Sequence, residues 1–296
     1  MKQSGKAKIP FLRKAVDGFL YGFMVFASTA VWAALIGIIA YIIFQSAGRE
    51  MFSIIFGNPG EALQNRGLIP MIASTAWTVV VSLSLALPVG IMTAIYMHEY
   101  AHKSLFGRIL GLAIDTLAGI PSIIYGLFGL LFFCRFLHLG QSIIAGSLTL
   151  SIMILPVIIR TTEEALKTVP PSFREGSLSL GATKFQTIVH VILPPALPGI
   201  LTAAILATGR VVGESAPVLL TVGLARNLPA SIFEPGRTLT IHLYYLTKEA
   251  IAPDDFARAF TAAAVLIIMV LVINTAVKLI GYLTRKAGSG SMENIE

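Results

Sequence analysis

Apolar residues fall in long unbroken runs along this chain. Residues 18–48 and 67–98 hold no Asp, Glu, Lys or Arg. A helix needs about 20 apolar residues to cross the hydrocarbon core of a bilayer, so each run is long enough to span with some tilt. Four shorter runs follow: 107–133, interrupted in its interior by Asp115 and kinked at Pro121; 141–159; 196–222, which carries Arg210 and Glu214; and 259–277. The pattern predicts an all-α polytopic membrane protein with six transmembrane helices, a transmembrane domain over 18–284 and short tails at 1–17 and 285–296. The first run begins after Lys2, Lys6, Lys8, Arg13 and Lys14, as a signal peptide would, but it far exceeds the 7–15 residues of a signal h-region and reads as a permanent anchor.

Six spans place both termini on one side. With the N-terminus inside, the cytoplasmic segments 1–17, 98–108, 163–195 and the residues after 277 hold five, two, three and three Lys or Arg. The outer segments 47–67, 134–140 and 223–255 hold two, one and three. Basic residues gather on cytoplasmic loops, so this orientation is expected.

Composition agrees and removes other classes. Hydrophobic residues make up 55% of the 296 residues and charged residues 12%, with a mean hydropathy of +0.81. Soluble domains carry about 25% charged residues. Cys134 is the one cysteine, which excludes a disulfide framework and a Cys-based zinc cluster. The net charge of +7 is spread over loops, so it does not indicate nucleic acid. The phosphate-cradling Gly-x-x-x-x-Gly-Lys-Ser/Thr is missing, so the chain is not expected to bind or hydrolyse ATP itself.

The segment 163–195 is long and polar. Ser172 with Glu175, and Thr183 with Gln186, have the spacing of two helix capping boxes. Gly181 suits a left-handed helix end, and Pro194 and Pro195 are expected to stop the second helix. Two short helices on the cytoplasmic face suit a docking element better than a passive connector. Glu175-Gly176-Ser177, Gly181 and Val191-Ile192-Leu193-Pro194 resemble, spacing for spacing, the Glu-Ala-Ala loop of ABC-importer permeases. Gly176, Ser177 and Val191 depart from it by small substitutions. The stretch from Asp115 to Gly129 and the Gly213-Glu-Ser-Ala-Pro segment are similar to the phosphate-importer permeases, as is Tyr96–Ala101 at the exit of the second span.

The resemblance implies a type I importer fold and an A-type subunit in a bacterial inner membrane. It implies a second, C-type permease subunit, two ATPase subunits that bind ATP and Mg²⁺, and an external phosphate-binding protein. It implies that Glu175, Gly176, Ser177, Gly181, Leu193 and Pro194 couple to the ATPase. It supports Arg160, Glu163 and Arg210 on the substrate path, and Glu214 lies within the matched segment.

The residues point the same way. Ionisable groups at membrane depth are costly and mark function. Arg160 and Glu163 are three apart, and Arg210 and Glu214 four apart, so each pair can meet on one helix face. A guanidinium offers an oxyanion a planar fork and a permanent charge, and a nearby carboxylate keeps the anion from being held too tightly. The alternative is ion pairs that only tie helices together. Asp115 suits a helix N-terminus equally well as a path, and Pro121 with Ser122 a packing bend equally well as an opening. His98-Glu99-Tyr100-Ala101-His102 formally matches the His-Glu-x-x-His of zinc proteases. An intramembrane protease, an importer for another oxyanion and a subunit with no path of its own are the competing readings.

Overall fold

The computed structural model describes residues 11–47, 51–57, 67–101, 104–249 and 253–290. Among them every regular element is helical. Five helices are long and apolar enough to cross a membrane: α1 (Phe11–Ser46), α3 (Ile69–Glu99), α6 (Ile143–Lys167), α9 (Leu193–Gly213, continuous with the residues from Lys184) and α12 (Pro253–Gly290). A short α2 (Met51–Phe56) precedes α3.

The third apolar run is not one kinked helix. It divides into α4 (Leu105–Ala118) and α5 (Ser122–Gly129), which leads into a π-helical turn over Leu130–Phe136, and the two halves bend by 99°. Gly119, Ile120 and Pro121 separate them, because a proline pushes the residue before it out of helical geometry. Packing shows that the bent pair is nonetheless one crossing. Along α3 and α6, Ser147 Oγ donates to the Thr78 carbonyl and Ser151 Oγ to the Ser82 carbonyl, at 3.3 and 3.0 Å, and Gly90 lies against Ile158. Partner numbers rise together, so α3 and α6 run parallel. The chain between them must therefore return across the bundle. It does so antiparallel to α6: Gly111 lies at Arg160, Gly129 at Thr149, and Cys134 with Ala145.

The α3–α6 seam is built from small residues and hydroxyls. With no water to drive helices together in lipid, close backbone approach and short hydrogen bonds supply the attraction. A Cβ on Gly90 would stand 2.6 Å from the Ile158 methyl, so only glycine permits this approach.

The fifth run also breaks. α9 ends at Gly213, Glu214 adopts an extended backbone, and α10 (Ala216–Thr221) follows. α9 runs antiparallel to α6, with Gly199 against Ala165 and Gly146 against Val222. α11 (Leu239–Glu249) is anchored to two other elements: the Leu239 amide donates to Thr75 Oγ1 at 2.9 Å and Thr240 Oγ1 to the Val212 carbonyl at 2.6 Å. The main core joins α3, α6 and α9 through Val79, Ala86, Ile154, Ile158, Ala207 and Val211.

α12 lies on α9 with Gly281 against Leu201, and α1 packs on α12, with the Tyr41 ring edge-on to Phe260 at 5.6 Å. Phe19, Phe26, Trp32 and Phe44 on α1 are broadly exposed. In water this would be a large unsatisfied apolar surface. In a bilayer it is a lipid-facing one.

Candidate functional site: paired arginines at interrupted helices and the loop 163–195

The short helices that follow the two interruptions pack against each other within the membrane-spanning body. A Cβ on Gly126 of α5 would fall 2.8 Å from Pro217 Cα of α10, so the two short helices pack backbone to backbone. A broken helix frees carbonyls and amides, and at membrane depth this is tolerated only where protein or a water-filled cavity satisfies them. Tyr125 Oη donates to the Leu117 carbonyl at 2.8 Å, and Thr240 serves Val212. Glu214 stands at the break after α9, and Arg210 one turn before it. Their closest approach is 3.6 Å, an ion pair beyond hydrogen-bond length. The sequence placed both on one helical face. Instead, Glu214 leaves the helix because the following Ser-Ala-Pro restarts it as α10. Tyr125 lies within electrostatic reach of Arg210.

Arg160, on α6, is far more fully engaged. Its Nη1 donates to Glu163 Oε2 at 2.8 Å, its Nε and Nη2 to Asp115 Oδ1 at 2.9 and 2.6 Å, and Nη2 also to the Gly111 carbonyl at 3.1 Å. Asp115 does not cap a helix start: it lies in the last turn of α4, where the macrodipole disfavours a carboxylate. Arg160 supplies the compensation. Glu163 also meets Lys167 Nζ at 3.6 Å. The Gly199–Ala165 contact levels Arg210 with the middle of α6, so the two arginines are about 9 Å apart along the bundle at 1.5 Å per residue. Asp115 is 62% exposed and the arginines are each about one-third exposed, on a surface that lipid alone could not cover cheaply.

The loop 163–195 forms α7 (Pro171–Ser179) and α8 (Lys184–Thr187). The first expected capping box is absent. α7 starts two residues early with Pro171 at its first position, where a missing N–H costs nothing, so Ser172 lies inside the helix. Gly181 does adopt a left-handed backbone, φ +85°. Its amide donates to Leu178 O and that of Ala182 to Ser177 O, the pair of bonds that closes a Schellman helix end. The second capping box is complete: Thr183 Oγ1 accepts from the Gln186 amide, and Gln186 Oε1 accepts from the Thr183 amide. Pro194 and Pro195 do not end this helix. A π-helical stretch, Ile188–Ile192, carries it into α9, whose first turn holds both prolines without needing their amides. Ser177 and Thr187 share a hydroxyl contact of 2.9 Å that joins α7 to α8. Glu175 and Gly176 face outward, while Leu193 packs partly against Ile188, Ile192 and Ala196. Leu180 at the tip is 90% exposed and Phe185 70%.

Glu99 of the formal zinc-protease pattern is not free to act as a base. It is buried and ion-paired with Arg174 of α7. His102 lies outside the described residues. No group of three or more His, Cys, Asp or Glu suited to a metal occurs among the described residues. Asp115, Glu99 and Arg174 were not visible as partners in the sequence, because 45 and 75 residues separate each pair.

The family model for the binding-protein-dependent transport system inner membrane component matches residues 86–287. The chain belongs to that family. The permease is 32% identical over 287 residues to the probable ABC transporter permease protein YqgI of Bacillus subtilis (strain 168), covering 93% of this chain and 98% of the relative. It is 41% identical over 197 residues to the phosphate transport system permease protein PstA of Mycobacterium leprae (strain TN), covering 66% of this chain and 64% of that protein. Its fold is similar to two solved structures. An inward-facing form of the MetNI methionine ABC transporter matches with a TM-score of 0.56 and 21% identity, over 81% of this chain and 99% of that one. A bacterial ABC transporter involved in the import of the acidic polysaccharide alginate matches with a TM-score of 0.58 and 15% identity, over 93% of this chain and 98% of that one. The permease is therefore a multi-pass subunit of an ABC importer, and the competing protease reading falls with the family assignment.

Proposed function

We propose that this permease forms half of a path for inorganic phosphate, with a second, C-type permease subunit enclosing the other half. The observation that carries this reading is the packing of α5 against α10, each following a helix break, beside Arg210. It leaves a guanidinium at membrane depth with only a loose partner at 3.6 Å. A phosphate dianion has no place in bare hydrocarbon, so its path must supply fixed positive charge. Arg210 is the more available arginine and Arg160 the more neutralised, so we place anion contact first at Arg210. Asp115, Glu163 and Glu214 keep both arginines from binding too tightly. Relatives named as phosphate transport permeases support the choice of anion.

Two ATPase subunits dock on the cytoplasmic loops of the permease pair, at α7–α8 in this subunit, with exposed Leu180 and Phe185 as apolar contacts, and an external phosphate-binding protein delivers substrate. ATP and Mg²⁺ reside in the ATPases. The body spans 18–284, and the tails 1–17 and 285–296 lie in the cytoplasm of a bacterial cell. ATP binding closes the ATPase pair, α7–α8 follow, and the bundle exposes Arg210 to the opposite side. The test is uptake by the reconstituted importer, comparing phosphate with sulfate and molybdate. Phosphate is expected to be taken up fastest. Faster uptake of either other anion assigns the path to that oxyanion.

A further inference from the structure

The loop α7–α8 is joined covalently to α6 and α9, the two helices that flank it. α3 has no such connection, yet the structure fastens it to both short helices at one point. Glu99, the last residue of α3, has a side chain only 2% exposed. Its Oε1 accepts from Arg174 Nη2 of α7 at 2.5 Å and lies 2.9 Å from His98 Nδ1. Its carbonyl accepts from Lys184 Nζ of α8 at 2.5 Å, and the same ammonium sits 4.1 Å above the Tyr100 ring. The Ser177–Thr187 contact ties α7 to α8, so the two move as one piece. A carboxylate this buried is stable only while paired, so the joint resists fraying. From Glu99, α3 continues past Ala94 and Met97, packed on Ile114 and Ile159, to Val79 and Ala86, which share a core with Ala207 and Val211 beside Arg210.

We propose that Glu99 and Arg174, with Lys184 on the Glu99 carbonyl, form the joint through which movement of α7–α8 is transmitted to α3 and so to the path. They are positioning residues and touch no substrate. Covalent links pull α6 and α9 when the loop moves; the ion pair makes α3 move with them, so the packed trio shifts as a unit instead of shearing along its seam. This rests on α7–α8 being the ATPase-docking element.

The test uses the complete reconstituted importer and measures anion uptake and ATP hydrolysis together. Glu99→Met with Arg174→Met replaces both charges by apolar chains of similar length, so no buried charge is stranded. This variant is expected to reach normal abundance and to copurify with the ATPase subunits, while anions transported per ATP fall at least tenfold. The reversed pair, Glu99→Arg with Arg174→Glu, is expected to recover most of that ratio. Normal stoichiometry in the double-Met protein overturns the joint, and so does loss of the ATPase subunits from it, which reduces the pair to shaping the loop. Docking itself is tested separately by Leu180→Asp with Phe185→Asp: undiminished copurification there overturns the docking reading, whatever the double-Met protein does.

Discussion

Arg160 on α6 holds two carboxylates at once, Asp115 of α4 at 2.6 Å and Glu163 of its own helix at 2.8 Å. One guanidinium thus closes α4 onto α6 and faces a net negative surrounding. An anion arriving there must compete with both carboxylates. Removing one makes the arginine more available: a charge at about 4 Å is worth about 4 kcal/mol at an effective dielectric of 20, reduced several-fold here because Asp115 is mostly exposed. Asp115→Asn is expected to lower the KM for phosphate several-fold and to lower kcat as release slows. Uptake kinetics at matched membrane abundance check this, and unchanged KM and kcat together make Asp115 incidental to the path.

Much of this fold was legible in hydropathy alone, because a bilayer demands long apolar helices and the sequence has them. Direction was not. The run 107–133 has the composition of one span and hides a 99° bend, and only the parallel register of α3 and α6 shows that the bent pair still counts as one crossing. Local chemistry was half readable. Gly181 and the Thr183–Gln186 box depend on neighbouring backbone and were found, whereas Pro194–Pro195 looked like a stop because the π-helical turn before them leaves no mark in composition. The partners of Arg160 and Glu99 come from other helices, and no spacing rule reaches across 45 or 75 residues.

Gly181 is held at φ +85° with open space around a would-be Cβ, so a substitution there is penalised by backbone strain and not by collision. A left-handed non-glycine residue costs about 1–2 kcal/mol, more for a β-branched one. Gly181→Val is expected to insert normally and to lose transport, with Gly181→Ala milder and Gly181→Asn mildest. ATPase copurification and uptake measured across the three variants check the order. Wild-type transport by the valine variant removes this turn from coupling.

Exposed Ser179 on α7 reports orientation. A cysteine there is expected to resist an impermeant thiol reagent in intact cells and to react after permeabilisation, since basic loops stay in the cytoplasm. Labelling of intact cells inverts the topology and removes the docking reading with it.

His242 on α11 is pushed down to about 4, first by burial and then by the positive charges of Arg237 and Arg226. Its unfolded value is 6.5, so the folded state binds the proton more weakly. Stability from this group is therefore complete above pH 6.5 and lost as pH falls toward 4, by about 3 kcal/mol across that window. Thermal melting of the purified permease from pH 8 to 5 is expected to show the fall, and His242→Leu to flatten its acidic limb. An unchanged pH profile in the leucine variant assigns acid lability elsewhere.

Arg210 separates a path residue from a structural tie. An uncompensated arginine in a helix centre costs at least about 2.5–3.5 kcal/mol on insertion scales, and Glu214 at 3.6 Å offsets part of that. If the two only stabilise each other, Arg210→Ala with Glu214→Ala removes both charges and restores function. If Arg210 meets the anion, the double variant inserts normally and does not transport. Arg210→Lys is expected to be impaired as well, because an ammonium keeps the charge and loses the two-pronged fork. Phosphate uptake by the double variant at matched abundance decides. Near-normal uptake reduces Arg210 to half of a structural pair and moves the anion site to Arg160, where Asp115→Asn would then have the larger effect.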